Sequence, residues 1–395
     1  MEHSAKEISS LRSHISKASL KITEKEAKFY THTFSRLPVV IERGKGMYLW
    51  DVDGKKYLDM FAGIGVNSVG HCNKEVVKAI KKQAEILMHT SNWLYTIPQV
   101  ELAEKLAKIS GMEKVFFTND GTEAVEAAIK LVRRGKKKEI IAMEHDFHGR
   151  TLGSLSLTWK ENFRKPFEPL IPYTKFVRYN DIDALKEAIT ENTCAVILEP
   201  IQSESGTIIP DAGYLKAVRQ LCDEKKIYMI VDEVALGFGR TGKMFCFQHE
   251  DIMPDSICIA KAMGSGFPIG AMLCRGIDFS PGEHGGTYIG NPLACAAANA
   301  SIDYIISNNL PENARIMGEY LLKNLKERNL NVRGRGLILG IDVQDAKSAV
   351  MELIENSVLA IYTENTLRLL PPLIITKKEC DKFLAALDKC KTLKR

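Results

Sequence analysis

From about residue 60 to residue 290, short apolar runs alternate with helical patterns, and that alternation leaves few folds open. Lys114–Thr118, Glu139–Glu144 and Ala195–Pro200 read as strands, and Glu123–Arg134 and Tyr214–Lys225 as helices. Further apolar runs follow at Ile227–Val231, Ile257–Ala260 and Ala271–Arg275. Strand-length runs separated by helices call for crossover connections, so the fold class is α/β, with a mostly parallel sheet covered by helices. In such sheets ligands sit at the carboxyl ends of the strands. Two runs deliver charge to that edge. Ile227–Val231 ends in Asp232-Glu233, and Ile257–Ala260 ends in Lys261, twenty-nine residues after Asp232 and just before a Gly-rich turn. A desolvated lysine there loses basicity and becomes a usable nucleophile. Taken alone, a strand-end lysine is more often a surface residue.

The flanks differ from this middle. Residues 1 to about 30 are polar and helix-prone, and Tyr48–Asp59 reads as a hairpin turning at Asp53-Gly54. After Pro292 comes a long Ala-rich helical stretch, then strand-like Gly334–Asp342 and Thr366–Leu370, then an amphipathic helix over 376–392. With 395 residues the chain is long enough for two domains. We expect an N-terminal segment, 1–58, that contributes to a small α+β domain, a large domain over 59–290, and the rest of the small domain over 291–395. A net charge of +5 does not call for nucleic acid. No apolar stretch is long enough to cross a membrane, and the N-terminus shows no signal-type apolar segment. Nine scattered cysteines with no Cys-x-x-Cys pair point to a reducing cytoplasm rather than a disulfide framework.

Several strand ends carry residues suited to chemistry. Phe117–Gly121-Thr122 sets a glycine turn between a strand and a helix, where exposed amides and the helix dipole attract an anion, phosphate above all. It reads equally well as an ordinary helix start capped by Asp120 or Thr122. In Asp146-Phe147-His148-Gly149-Arg150, Phe147 can stack on a flat ring and Arg150 can grip a carboxylate, or both can be plain turn residues. Glu199 and Glu204 flank another strand end, and Thr287 offers a hydroxyl in a Gly-rich stretch. Arg368 is a lone charge in an apolar strand, an expensive place unless the charge is paired.

Two other patterns carry less. Gly237–Lys243 has phosphate-loop spacing, but Met244 stands where a Ser or Thr would hold Mg²⁺. His145 and His148, with nearby carboxylates, lack a third ligand and do not lie in a helical pattern, so no metal is expected.

Together these residues resemble the class III aminotransferases, and among them those acting on acetylornithine and acetyl-lysine-type substrates. The likeness runs from about residue 34 to the end. Phe61–His71, Phe147–Ser156, Asn291-Pro-Leu-Ala-Cys295 and Leu367-Arg-Leu-Leu-Pro-Pro-Leu373 carry it. The resemblance implies pyridoxal 5′-phosphate (PLP) on the PLP-dependent transferase type I fold. By it, Lys261 binds the cofactor and shuttles a proton, and Asp232 pairs with the pyridine nitrogen. Phe147 and Val234 pack on the two ring faces, and the Gly121 and Thr122 amides hold the phosphate. Thr287 reaches the phosphate of the neighbouring subunit, which implies a homodimer with shared sites. Arg368 takes the α-carboxylate of glutamate, Glu204 masks Arg368 while the ω-amino substrate is bound, and Arg150 holds a further carboxylate. The sequence departs from the family pattern at Ala235, usually glutamine, and at Ile289, usually glycine.

The implied reaction is transfer of the terminal amine of an N-acylated ornithine or lysine to 2-oxoglutarate, giving a semialdehyde and glutamate. The substrate is either free or held on a small acidic carrier protein, as in some arginine and lysine pathways; the basic run Lys130–Lys138 motivates the second form. It reads otherwise as a solvated helix end. The alternatives are a 4-aminobutyrate- or ornithine-type ω-transaminase, a class III racemase or aminomutase, or a non-catalytic scaffold. Lys261 and Asp232 together speak against the scaffold.

Overall fold

A computed structural model describes residues 16–393. The polar stretch before residue 16 and the last two residues lie outside the described residues. Ser16 caps helix α1 (Lys17–Phe29) by accepting the Ser19 N–H.

The central sheet has seven strands in the order β4 (Lys114–Thr118), β10 (Gly270–Cys274), β9 (Ser256–Ile259), β8 (Tyr228–Asp232), β7 (Thr193–Leu198), β5 (Glu139–Met143) and β6 (Thr174–Val177). Only β10 runs against its neighbours, so the other six share one direction and end on one edge. Strands β5, β7, β9 and β10 are buried at every position, which is why they read as continuous apolar runs without alternation. The expected strand–helix alternation is therefore present, with β10 as the antiparallel exception.

Two smaller sheets lie outside it. One is β1 (Ile41–Lys45), β2 (Tyr48–Asp51), β3 (Lys56–Asp59) and β13 (Val358–Leu359), with β13 parallel to β3. That pairing joins the N-terminal hairpin to the C-terminal part of the chain. The hairpin turn is held by Asp51, whose Oδ1 accepts the Asp53 and Lys55 N–H groups. Gly54 takes the positive φ of 81° that the turn needs. The other sheet is antiparallel, in the order β11 (Asn331–Arg335), β12 (Ile338–Asp342), β15 (Thr366–Leu369) and β14 (Ile361–Thr363).

Five further helices matter for the site. Helix α2 (Lys74–Ile86) and helix α3 (Ile97–Ser110) pack against the Ala-rich α6 (Pro292–Ser307), while α4 (Gly121–Val132) and α5 (Tyr214–Lys225) lie along the central sheet. The small buried side chains Ala294, Ala297, Ala298 and Ser301 let α6 approach closely. The last helix, α7 (Lys377–Leu387), is shorter than the amphipathic pattern suggests. Arg328 draws the Asp388 carboxylate aside with two contacts of 2.7 and 2.9 Å, and the chain continues as a turn. Among the described residues no helix is long and apolar enough to cross a membrane. All nine cysteines are free, and every one except Cys72 is buried.

Candidate active site

The shared strand edge brings most of the sequence-derived residues together. Asp232 ends β8 and pairs in register with Cys258 of β9, three residues before Lys261. Its Oδ1 accepts the Val234 N–H at 3.0 Å, and its Oδ2 lies 2.8 Å from His148 Nδ1. Lys261 follows β9 with φ +37°, a left-handed conformation that a lysine rarely adopts and that costs on the order of 1 kcal/mol or more. Burial holds its pKa below the usual lysine value. Nearby Asp232, Glu199 and Glu204 oppose that shift, and Arg368 adds to it.

His148 is the residue that sequence reasoning passed over. Its side chain is fully enclosed between Asp232 and Asp146, with Nε2 3.4 Å from Asp146 Oδ2. Burial alone lowers an imidazole pKa, but hydrogen bonds to the two carboxylates outweigh it and raise this one to about 10. His148 is thus a cation at neutral pH. With both nitrogens directed at carboxylates, it is not half of a metal pair with the exposed His145. A signal was available: Asp146 and His148 are two apart just after a strand, so both face the same way.

Beside this chain of charges lies Glu199, whose carboxylate accepts the Phe147 N–H at 3.0 Å and the Ser203 N–H at 3.3 Å. Burial pushes its pKa well above the carboxylate range, reinforced by Asp146 and Asp232.

Gly121 and Thr122 open α4. Asp120 caps the helix by accepting the Glu123 N–H at 2.9 Å, so its charge serves its own helix. Among the described residues the Gly121 and Thr122 amides have no acceptor, as expected of a first helical turn. A side chain at Gly121 would run into Val234, which brings the helix start against the residue after Asp232. Thr122 Oγ1 lies 2.5 Å from Ser154 Oγ, closing the floor below the Phe147–Arg150 turn.

Arg368, on β15, is 2% exposed. Its Nη1 meets Glu204 Oε2 at 2.7 Å and its Nη2 meets Ser203 Oγ at 3.1 Å. Glu204 is far more open, with its side chain 39% exposed. The pair is a fixed buried cation with a carboxylate at the mouth. Arg150 is exposed and lies against the rings of Phe163 and Phe147, with its guanidinium carbon 3.5 and 5.7 Å from their centroids. Thr287 stands apart, exposed in the loop after β10. That loop leans on the segment before α3, where Asn92 donates to the Ile289 carbonyl and His89 faces Tyr288.

The phosphate-loop pattern at Gly237–Lys243 is spent on structure. No helix follows it, Arg240 is 1% exposed, and Lys243 donates to the Gln248 carbonyl.

Comparison with known proteins agrees with this geometry. A family model described as "Aminotransferase class-III" matches residues 29–390. The acetylornithine aminotransferase of Archaeoglobus fulgidus is 49% identical over 364 residues, covering 91% of this chain and 97% of the relative. That of Methanocaldococcus jannaschii is 48% identical, covering 92% and 96%. Among solved structures, ornithine aminotransferase from Toxoplasma gondii superposes with a TM-score of 0.91 at 30% identity, covering 95% of each chain. Acetylornithine aminotransferase from Elizabethkingia anophelis gives 0.85 at 33% identity, covering 94% and 98%.

Proposed function

The chain belongs to the class III aminotransferases, PLP-dependent enzymes, and on that premise we propose that it transfers the terminal amine of an N-acylated ornithine or lysine to 2-oxoglutarate. The products are a semialdehyde and glutamate. The observation that carries the reading is the 2.7 Å contact between buried Arg368 and half-open Glu204. Glutamate brings two carboxylates and needs two clamps. The diamino substrate presents its distal amine, and its carboxylate must stay away from Arg368. A cation that a movable carboxylate can mask or release serves both.

The residues present fit the cofactor. Two unpartnered amides at the start of a twelve-residue helix suit its phosphate. Phe147 and Val234 suit the two faces of its ring, and Asp232 suits the ring nitrogen. When bound, PLP supplies an electron sink for the pair released as a substrate C–H bond breaks. The protein's part is to hold groups and move a proton. Lys261, with lowered basicity, takes up the proton from the substrate carbon and returns it on the other side of the reaction. Asp232, fixed by His148 and the Val234 amide, keeps a negative charge against the ring nitrogen. Arg368 and Arg150 orient carboxylates.

We favour a free substrate over a carrier-bound one for a specific reason. Of the six cations in Lys130–Lys138, four are already engaged. Lys130 donates to the Glu283 carbonyl, Arg133 to Pro172, Arg134 to Asp278 and Lys138 to Arg133. Only Lys136 and Lys137 remain for an acidic partner.

The expected unit is a homodimer. Trp93, Tyr95 and Ile97 are 93%, 99% and 75% exposed, next to the Thr287 loop. Large apolar side chains gathered so openly support a partner surface. Nine unpaired thiols support a cytoplasmic home. The parallel β3–β13 pairing supports a small domain built from 1–58 and 291–395 around a large one over 59–290.

The test is direct. L-Glutamate should change the visible absorbance of the purified enzyme, and initial rates should rank N-acetylornithine and N-acetyllysine above ornithine and 4-aminobutyrate. A tenfold preference for 4-aminobutyrate or ornithine would transfer the assignment to the other ω-transaminases. A cofactor band indifferent to glutamate would point to a racemase or aminomutase.

A further inference from the structure

Arg150 and Arg368 are held in opposite ways. Arg368 is enclosed and ion-paired, and two of its nitrogens are already engaged. Arg150 has no hydrogen bond or ion pair among the described residues, and Glu204 acts on it only through space. What it does have is a ring. Its guanidinium carbon sits 3.5 Å from the centroid of Phe163, far closer than the 5.7 Å to Phe147.

We propose that Phe163 is a positioning residue that stacks on Arg150 and holds its guanidinium ready for a substrate carboxylate. The inference rests on the reading of Arg150 as a carboxylate clamp and names the residue that makes the clamp effective. A carboxylate partner would hold Arg150 equally well, but would occupy the N–H edge that must face the substrate. A ring face binds the flat side of the guanidinium and leaves the donors at its edge free. A held arginine also loses less conformational freedom when the carboxylate arrives.

The surroundings keep Phe163 in place. It lies on the short helix Glu161–Arg164. Its ring is perpendicular to that of Phe147 at 87°, with 6.4 Å between centroids. On one side of it, Lys160 pairs with Glu364 at 2.9 Å, in the turn between β14 and β15. On the other, Arg164 lies 4.7 Å from the Phe176 ring on β6. One aromatic unit, Phe147–Phe163, thus serves both the ring-stacking position and the substrate clamp. The short helix is also tied to the turn that leads into the strand of Arg368.

The experiment measures binding of glutarate, a dicarboxylate, to the holoenzyme by calorimetry, with steady-state kinetics alongside. Phe163→Leu keeps the apolar bulk and loses the ring face. Its glutarate Kd should rise by roughly 3- to 20-fold, the range expected for loss of one cation–π contact. KM for glutamate should rise more than kcat falls. Phe163→Trp should recover most of the affinity, which a merely space-filling role would not require. Combined with Arg150→Ala, Phe163→Leu should have no further effect. If Arg150→Ala weakens glutarate and Phe163→Leu does not, this proposal falls and the clamp reading stands. If Arg150→Ala leaves glutarate binding unchanged, both fall. Should Phe163→Leu fold poorly, as judged by its melting temperature, Phe163→Met replaces it with the same expectation.

Discussion

At the scale of single residues, His148 shows how burial and pairing compete. Two enclosed carboxylates, Asp146 and Asp232, would repel each other without a cation between them. With a folded pKa raised to about 10, above the ordinary 6.5, the imidazole binds its proton more tightly in the folded state than in the unfolded one. Its stabilising contribution is therefore complete below pH about 6.5 and fades as pH rises toward about 10. We expect His148→Gln to unfold at lower denaturant than the parent by about 2–4 kcal/mol at pH 6.5. The gap should narrow steadily up to pH 10, and denaturant titrations at four or five pH values would show it. A gap independent of pH would mean that the imidazole is neutral. Lys261 and Asp232 were legible from the chain because each ends an apolar run, a pattern periodicity exposes. His148, Ser203 and Glu199 were not, because their importance comes from what stands opposite them across the sheet edge.

At the scale of elements, the turn after β5 depends on one glycine. Gly149 has φ +132°, and a side chain there would strike the Thr122 and Ser154 hydroxyls. Those hydroxyls belong to the network below the turn, in which Glu126 accepts the Gly153 and Ser154 N–H groups at 2.8 and 3.1 Å. Gly149→Ala must shift the Phe147–Arg150 turn, the start of α4, or both. The expected result is at least a tenfold fall in kcat/KM and faster loss of cofactor on dialysis, with the melting temperature lowered by only a few degrees, on the order of 1–3 kcal/mol of strain. Cofactor retention equal to the parent would show that the turn does not support the cofactor. The strands and the Asp53-Gly54 hairpin were readable because their signals are local. The antiparallel sense of β10 and the early end of α7 were not. The first depends on which neighbours Ala271–Leu273 meets, and the second on Arg328 drawing Asp388 away from the helix end.

At the scale of the whole molecule, two features show how distant segments build one site. Arg240 is a buried cation that bonds the Leu337 and Pro371 carbonyls and Ser68 Oγ, joining the loop before α2, the β11–β12 hairpin and the chain just beyond Arg368. It fixes the Arg368 strand against the central sheet from within one chain. Thr287 poses the complementary case. It is exposed, and its loop rests beside the bare side chains of Trp93 and Tyr95. If each site borrows Thr287 from a partner, two defective chains can repair each other. Lys261→Ala and Thr287→Ala homodimers should each have little activity. After co-expression or mixed refolding, a heterodimer contains one site with an intact Lys261 from one chain and an intact Thr287 from the other. Half the dimers are mixed, and each has one good site of two. Activity should therefore recover to roughly a quarter of the parent's per chain, well above either variant alone. If Thr287 served its own chain, no site in any combination would be whole, and mixing would restore nothing.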